Sequence, residues 1–233
     1  MKAIISLCVI LLCSVRIGCS QGFINFNFEG ATIVPDPASP YYPNAVNASD
    51  ALPGWTVVGL ISPNDILYND ISLGATSVSL QGANGSFPSL DGAFSVNLYG
   101  GVPTSPTGAS ISQTGLVPLN AASLRFIAQG VSFGGGPLLV SLGGQNIPFS
   151  AISTSPNYTM YGGDISAFAG QVKQLMFTAP QGANNYWTID DIQFSVNPVP
   201  EPATCGLILC GAAVFGVNRW GKRGASSKFP PSL

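Results

Sequence analysis

The sequence predicts an all-β protein whose body is a single antiparallel β-sandwich of the jelly-roll type. Apolar and polar residues alternate in several short runs, as in segments 94–98, 124–128 and 175–179. Turn residues separate these runs, as in Gly82-Ala83-Asn84-Gly85. Between residues 21 and 197, no segment keeps a helical period over several turns. Many short, half-buried strands joined by tight turns are typical of β-sandwiches and jelly rolls.

This alternation predicts the strands in chain order. Ile24, Phe26 and Phe28 indicate a first strand, followed by a long loop over residues 31–53 that is rich in Pro, Asn, Ser and Tyr. Pro53-Gly54-Trp55 leads into a second strand. Later strands are predicted at Val78 and Leu80, at Phe94, Val96 and Leu98, at Leu124, Phe126 and Ala128, at Leu138, Val140 and Leu142, and at Leu175, Phe177 and Ala179. The segment 164–171 predicts one turn of helix capped by Asp164.

The residue types of the body exclude several kinds of catalysis. The chain has no histidine, and its five cysteines all lie in the terminal segments: Cys8, Cys13, Cys19, Cys205 and Cys210. The body therefore has no disulfide, no Ser/His or Cys/His nucleophile and no zinc site of the usual kind. Apolar residues make up 46% of the chain, enough for a packed core.

The charge of the body excludes anionic partners. Its two basic residues, Arg125 and Lys173, stand against nine acidic ones, a net charge of −7. Nucleic acids and anionic membrane surfaces need a basic patch, so neither is an expected partner. Cations and neutral, hydroxyl-rich ligands remain.

The N-terminus has the layout of a secretory signal peptide. Lys2 is followed by the apolar run 4–12, and Gly18-Cys19-Ser20 offers small residues for cleavage before Gln21. Residues 1–20 are therefore predicted to engage the export machinery and signal peptidase. Acylation of Cys19, as in a lipoprotein, is the alternative.

The C-terminus has a second targeting pattern. Pro200 and Pro202 favour extended backbone and keep a helix from running in from the body. An uncharged apolar run follows over 203–217, and then the basic residues Arg219, Lys222 and Arg223. This order predicts a membrane-spanning helix with a cytoplasmic C-terminus, although the run is short for a span of about 20 residues. The alternative is a buried apolar helix.

The order of these elements resembles a known sorting signal. Val199, Pro200, Glu201 and Pro202, then the apolar helix, then the basic cluster, are similar to the PEP-CTERM signal of exopolysaccharide-producing Gram-negative bacteria. The resemblance implies that residues 198–223 are recognised by an exosortase and cut near 199–202. Residues 224–233 extend beyond the family pattern, and the positive-inside tendency of the basic cluster predicts that they form a cytoplasmic tail. It implies a body held briefly at the inner membrane in the periplasm, then placed on the cell surface or in the extracellular matrix.

The body resembles jelly-roll modules of the galactose-binding-like superfamily, which includes many carbohydrate-binding modules. The similar segments are 23–30, 53–55 and 186–192. The resemblance implies that the first and last strands lie near one another. It also implies a structural calcium ion held there, for which Glu29, Asp190 and Asp191 are the matching acids.

Calcium fits these residue types, because it takes six to eight oxygen ligands and needs neither His nor Cys. Adjacent residues of a strand point to opposite faces, so Asp190 and Asp191 need a β-bulge to point the same way. The alternative is that one of them faces solvent and the other accepts backbone N–H bonds in a turn.

Three functions are weighed for the body. A structural or adhesive component of the exopolysaccharide layer is expected first. A specific glycan-binding module is second, with Tyr41, Tyr42 and Tyr68 in loops as the ligand-stacking residues, while Trp55 and Trp187 are expected in the core. A glycan hydrolase is third, because it needs a carboxylate pair and the body has a single Glu. The protein is therefore expected not to be an enzyme.

Overall fold

The computed structural model describes residues 22–72, 74–85, 87–102, 107–132, 136–182 and 185–199. The predicted signal peptide and the predicted sorting segment beyond residue 199 lie outside these residues, and so does the predicted membrane helix. Within the described part of the chain, no helix is both long and apolar enough to cross a membrane.

Almost all the regular structure of the described residues is β. The strands are β1 (Ala45–Asn47), β2 (Thr56–Val58), β3 (Asp65–Tyr68), β4 (Ser77–Gln81), β5 (Ser95–Tyr99), β6 (Ala109–Leu116), β7 (Ser123–Ser132), β8 (Leu139–Leu142), β9 (Gln145–Asn146), β10 (Ser150–Thr154), β11 (Thr159–Asp164), β12 (Val172–Ala179) and β13 (Asn185–Ser195). Two short helices complete the set, α1 (Ala48–Ala51) and a 3₁₀ turn (Ser166–Phe168). The all-β prediction is confirmed.

The strands form two sheets. One has eight strands in the order β1-β3-β4-β5-β13-β7-β11-β10, and the other has five in the order β2-β6-β12-β8-β9. Neighbouring strands are antiparallel except β3 and β4, where Leu67 pairs with Ser79 in parallel register. Two sheets packed over one apolar core make a β-sandwich, as predicted.

The core lies between the sheets and is made by alternate residues of each strand. On β7, Leu124 and Phe126 are buried in it. Phe177 of β12 faces them from the five-stranded sheet, and its ring meets that of Phe126 edge to face at 5.2 Å. This contact joins the two sheets, and such pairs add about 0.5–1.5 kcal/mol beyond the area they bury.

Most of the predicted strands are observed. The alternating triplets became β5, β7, β8 and β12, and Pro53-Gly54-Trp55 leads into β2. The predicted turn of helix is the 3₁₀ turn, and the Asp164 carboxylate accepts a hydrogen bond from the Ser166 N–H at 2.8 Å.

The prediction of a first strand at Ile24, Phe26 and Phe28 is wrong. Residues 22–25 have no regular structure and residues 26–30 form turns. Asn25 and Phe28 have φ of 51° and 58°, in the left-handed region, and this interrupts the extended backbone that a continuous strand requires. The alternating aromatic residues pack as a cluster from this turn instead, with Phe26 5.9 Å from the ring of Trp55. Periodicity alone does not distinguish a strand from a turn whose aromatic residues pack against distant parts of the chain.

Candidate functional site

The segment 22–30 nevertheless lies beside the last strand, as the resemblance implied. The Ile192 N–H donates to the Phe26 carbonyl at 3.0 Å. The three acids predicted to bind calcium therefore lie in one region. The contacts of each carboxylate indicate whether it is placed to bind a metal ion or to hold the backbone.

Glu29 holds the loop between β4 and β5. Its Oε1 accepts hydrogen bonds from the backbone N–H groups of Ala93 at 2.8 Å and Phe94 at 3.1 Å. Gly92 makes this approach possible, because a Cβ at that position would overlap the Glu29 carboxylate. A carboxylate that accepts two N–H bonds stabilises the loop end in the way that an N-cap stabilises a helix.

Asp190 holds the same loop from the other side. It is only 1% exposed, and its Oδ2 accepts from the Ser95 hydroxyl at 2.6 Å and the Asp91 N–H at 3.3 Å. Burial raises the pKa of Asp190 to about 7, against the lowering effect of these hydrogen bonds. Glu29 and Asp190 together clamp residues 91–94.

A β-bulge separates the two adjacent aspartates, as the sequence predicted. The register between β13 and β7 shifts between Asp190 and Gln193, and Asp191 has φ of 48°. Asp190 points into the protein and its Oδ1 accepts from the Asp191 N–H at 2.7 Å, while Asp191 is half-buried. Among the described residues, no group of three or more acidic, His or Cys side chains converges in the way that a metal site requires. The contacts observed for Asp190 are those of the predicted alternative, in which a carboxylate accepts backbone N–H bonds.

The outer face of the eight-stranded sheet carries a buried polar layer beside this clamp. Asn97 donates to the Thr188 hydroxyl at 3.0 Å, and Gln81 donates to the Ser79 hydroxyl at 2.7 Å. Nearby, the rings of Tyr99 and Tyr186 stack at 4.6 Å, and both are buried. These groups are buried although they lie on the outer face, so they do not form an open surface for a ligand.

A different region combines a cavity lined by polar groups with exposed aromatic residues. A cavity of about 290 Å³ lies between the loop 36–40 and the segment 62–65. Its lining is rich in oxygen atoms from two carboxylates, two hydroxyls and one amide, and contains no basic residue among the described ones: Asp36, Ala38, Ser39, Pro40, Ser62, Pro63, Asn64 and Asp65. Tyr41 and Tyr42 follow directly along the chain and are 45% and 57% exposed.

Local hydrogen bonds build this loop. The Asp36 carboxylate accepts from the Ala38 N–H at 2.8 Å, and the Ser39 carbonyl accepts from the Tyr42 N–H at 3.2 Å. On the other wall, the Ser62 hydroxyl donates to the Asp65 carboxylate at 2.5 Å. The first of these bonds is an Asx turn and the second is the i to i+3 bond of a β-turn, and short-range bonds of both kinds shape a loop by themselves.

Tyr68 does not belong to this surface. The prediction that it lies in a loop is wrong, because it is the last residue of β3. Its half-buried ring packs on the core and lies 6.4 Å from the ring of Phe94. Trp55 is buried and Trp187 packs against the core, which confirms their predicted places.

The sequence did not identify Asp36 and Asp65 as neighbours. They are 29 positions apart and looked like isolated loop acids. The pairing of β1 with β3 brings the two loops together, since Asn47 lies opposite Asp65 and Pro35 bridges to Val46. No local pattern in the sequence predicts such a pairing. The sequence pointed to this region only through Tyr41 and Tyr42, which were predicted to stack on a ligand from a loop.

Of the predicted sorting motif, only Val199 is among the described residues, at the end of the chain that leaves the sandwich. Pro200, Glu201, Pro202 and the basic residues Arg219, Lys222 and Arg223 lie outside them.

Comparison with known proteins adds little to this description. No protein-family model matches the chain, and no curated protein matches it. Solved structures that align with it include TmCBM61 in complex with β-1,4-galactotriose, at 14% identity and a TM-score of 0.36, over 76% of this chain and 99% of that one. The K2 cleaved adhesin domain of Lys-gingipain aligns at 14% identity and a TM-score of 0.41, over 72% and 95% of the two chains. Similarities of this size identify no relative. The β-sandwich follows from the strand pairing itself.

Proposed function

We propose that the protein is an exported, non-catalytic surface or matrix protein whose jelly-roll sandwich binds a neutral glycan. The observation that carries the proposal is the oxygen-lined cavity together with the exposed pair Tyr41 and Tyr42, which directly follow the lining residue Pro40 along the chain. Sugar rings have apolar C–H faces, on which aromatic rings stack. Their edges carry hydroxyl groups, which donate hydrogen bonds to carboxylate and amide oxygens. This surface offers both kinds of group on one preformed loop.

The charge of the body supports a neutral ligand. The cavity has two carboxylates, Asp36 and Asp65, and its described lining includes no cation. A polysaccharide that carries carboxylates or phosphates would be repelled at this position, whereas a hydroxyl donor is favoured.

The test is co-sedimentation of the chain with polysaccharide extracted from the producing organism. Replacing Tyr41 and Tyr42 together by Ala is expected to weaken retention at least about tenfold, equivalent to about 1.4 kcal/mol. Leu119→Ala is the matched control, because Leu119 is 86% exposed on a different loop. Equal retention of the double variant and the control would refute glycan binding at this surface.

Catalysis is less well supported than binding. The body has no His and no Cys, and its single Glu, Glu29, holds the backbone of the loop at Ala93 and Phe94. We therefore propose that the sandwich does not hydrolyse the glycan. Release of reducing ends from the retained polysaccharide would contradict this.

Export and sorting are proposed from the sequence. The signal peptide would direct the body across the inner membrane, and the segment that begins at Val199 would hold it there until an exosortase cuts near Pro202. Purification of the mature chain followed by mass spectrometry of its two ends tests both steps. An intact residue 233 on the surface-exposed protein would contradict cleavage.

A structural calcium ion at Glu29, Asp190 and Asp191 is also a proposal. At Glu29 the loop bonds are made to Oε1, so we propose that Oε2 and the carboxylate of Asp191 supply the remaining ligand oxygens. The purely structural or adhesive role in the exopolysaccharide layer remains the alternative function. This alternative predicts that the polysaccharide retains the chain even when Tyr41 and Tyr42 are both replaced by Ala.

A further inference from the structure

The last described residues are tied to the outer face of the eight-stranded sheet. The Ser123 hydroxyl of β7 donates to the Asn197 carbonyl at 2.7 Å. Two residues along the same strand, the Arg125 guanidinium donates to the carbonyls of Asn197 at 3.3 Å and Pro198 at 3.4 Å. The stem of the C-terminal segment is therefore held against the body where it leaves the sandwich.

A cleft of about 510 Å³ lies where this stem ends. Its lining is mostly apolar or small: Ala122, Pro148, Phe149, Ser150, Gly162, Gly163, Asp164, Ser166, Pro198 and Val199. The Val199 side chain lies over Gly162, whose missing Cβ would be 3.2 Å from Val199 Cγ2. The chain thus passes residue 199 inside the cleft.

We propose that this cleft is a docking site for the Pro200-Glu201-Pro202 segment of the same chain. The proposal rests on the proposed sorting role only for its biological consequence. Each residue advances the chain by at most about 3.6 Å, so three residues extend no farther than about 11 Å from Val199. Since Val199 itself lines the cleft, the cleft is within their reach.

The chemistry of the segment fits the cleft. Proline rings are apolar and their φ is already restricted, so a Pro-rich segment loses little conformational entropy when it packs against an apolar, aromatic-lined groove. Pro148 and Phe149 supply such a wall, and Gly162 with Gly163 leaves room for it. The Arg125 guanidinium donates to the Pro198 carbonyl and so supplies a positive charge beside the stem. Glu201 follows three residues later, and we expect its carboxylate to be attracted to that charge.

Docking has a consequence for processing. A protease needs its substrate as a free extended segment, and a docked Pro-Glu-Pro segment is not available to it. Cleavage would then require release of the stem from Ser123 and Arg125. The body, and not only the motif, would set the rate at which the protein leaves the membrane.

Photo-cross-linking of the full-length chain tests the docking. p-Benzoylphenylalanine replaces Ser166, which is exposed and lines the cleft, and in a second variant it replaces Ser150. The control position is Ser153, exposed on the same edge strand as Ser150 but outside the lining. Mass spectrometry is expected to find cross-links to residues 200–202 from both cleft positions, at least about fivefold above the control.

Two variants sharpen the test. Arg125→Ala removes both hydrogen bonds to the stem and is expected to lower the cross-link yield several-fold at an unchanged melting temperature. Gly162→Leu fills the floor of the cleft and should lower it further. Cross-links that are absent, or equal from the cleft and control positions, would overturn the docking.

The outcome is independent of sorting. Cross-links in a chain that the producing cell never cuts would leave the docking intact and contradict the exosortase proposal. Faster cleavage of the Arg125→Ala chain in the producing cell would support the inference that docking slows cleavage. An unchanged rate of cleavage would contradict it.

Discussion

The free energy of unfolding of the native chain is expected to fall as the pH rises toward neutrality. Replacement of Asp190 by Asn is expected to abolish this pH dependence. Burial raises the pKa of this carboxyl from 3.8 to about 7. The folded state therefore keeps a proton that the unfolded chain releases above its own lower pKa. Between these two pH values the folded state binds more protons, so the free energy of unfolding falls as the pH rises.

The size of the effect follows from that interval. At 1.36 kcal/mol for each pKa unit, the interval of roughly three units sets a ceiling of about 4 kcal/mol. Screening by solvent near the protein surface lowers the effect below this ceiling, and about 2–3 kcal/mol is expected. The stabilisation is complete below the unfolded pKa and is lost as the pH passes through about 7.

The assay is urea unfolding of the native chain and of Asp190→Asn at several pH values from about 4 to about 8. The difference between the two free energies of unfolding is expected to change by about 2–3 kcal/mol across that range, with the native chain relatively weaker at high pH. Asp164→Asn is the control, because hydrogen bonds from Ser166 lower the pKa of Asp164 below its ordinary value of 3.8. Asp164 therefore titrates below this pH range, and the difference between the native and Asp164→Asn chains is expected to stay constant across it. A difference between native and Asp190→Asn chains that does not vary with pH would refute the reasoning.

Three further predictions follow from the contacts. Phe177→Ala empties a fully buried site against Phe126 and should lower the free energy of unfolding by about 3–5 kcal/mol, measured by urea denaturation; a loss below about 1 kcal/mol would contradict the core contact. Glu29→Gln weakens the bonds to the loop and should lower the free energy of unfolding by about 1 kcal/mol while speeding amide hydrogen exchange at residues 93 and 94. If the variant lowers the melting temperature equally in calcium and in chelator, the calcium proposal is contradicted. If calcium stabilises the native chain and not the variant, the proposal is supported. Trp55→Phe loses the indole bond to the Asn25 carbonyl, 3.0 Å long, and should cost about 1 kcal/mol; unchanged stability would show that this bond adds nothing.

Local pattern was enough for most of the strands. Val96 and Leu98, or Leu175 and Phe177, show a period of two that a strand packed on one face requires, and each became part of a strand. The same pattern failed at 22–30, because the turns there depend on left-handed backbone at Asn25 and Phe28 and on an aromatic cluster drawn from distant strands.

The site depended on contacts between distant residues. The sequence indicated that Asp190 and Asp191 need a bulge, and the bulge is present. It did not indicate that Asp190 and Glu29 hold one loop from two sides, because that loop lies about a hundred residues from the first and more than sixty from the second.

The sequence by itself determined the all-β class, the places of most strands, the absence of His and Cys chemistry in the body, and its acidic charge, since these depend on composition and on neighbours along the chain. Only the tertiary structure decided which acids meet. Strand pairing put Asp36 and Asp65 around one cavity and aimed Asp190 into the protein. It also laid the stem at Val199 over Gly162. Contacts of this kind join residues that no local period relates, so they exist only once distant strands have paired in the sheet.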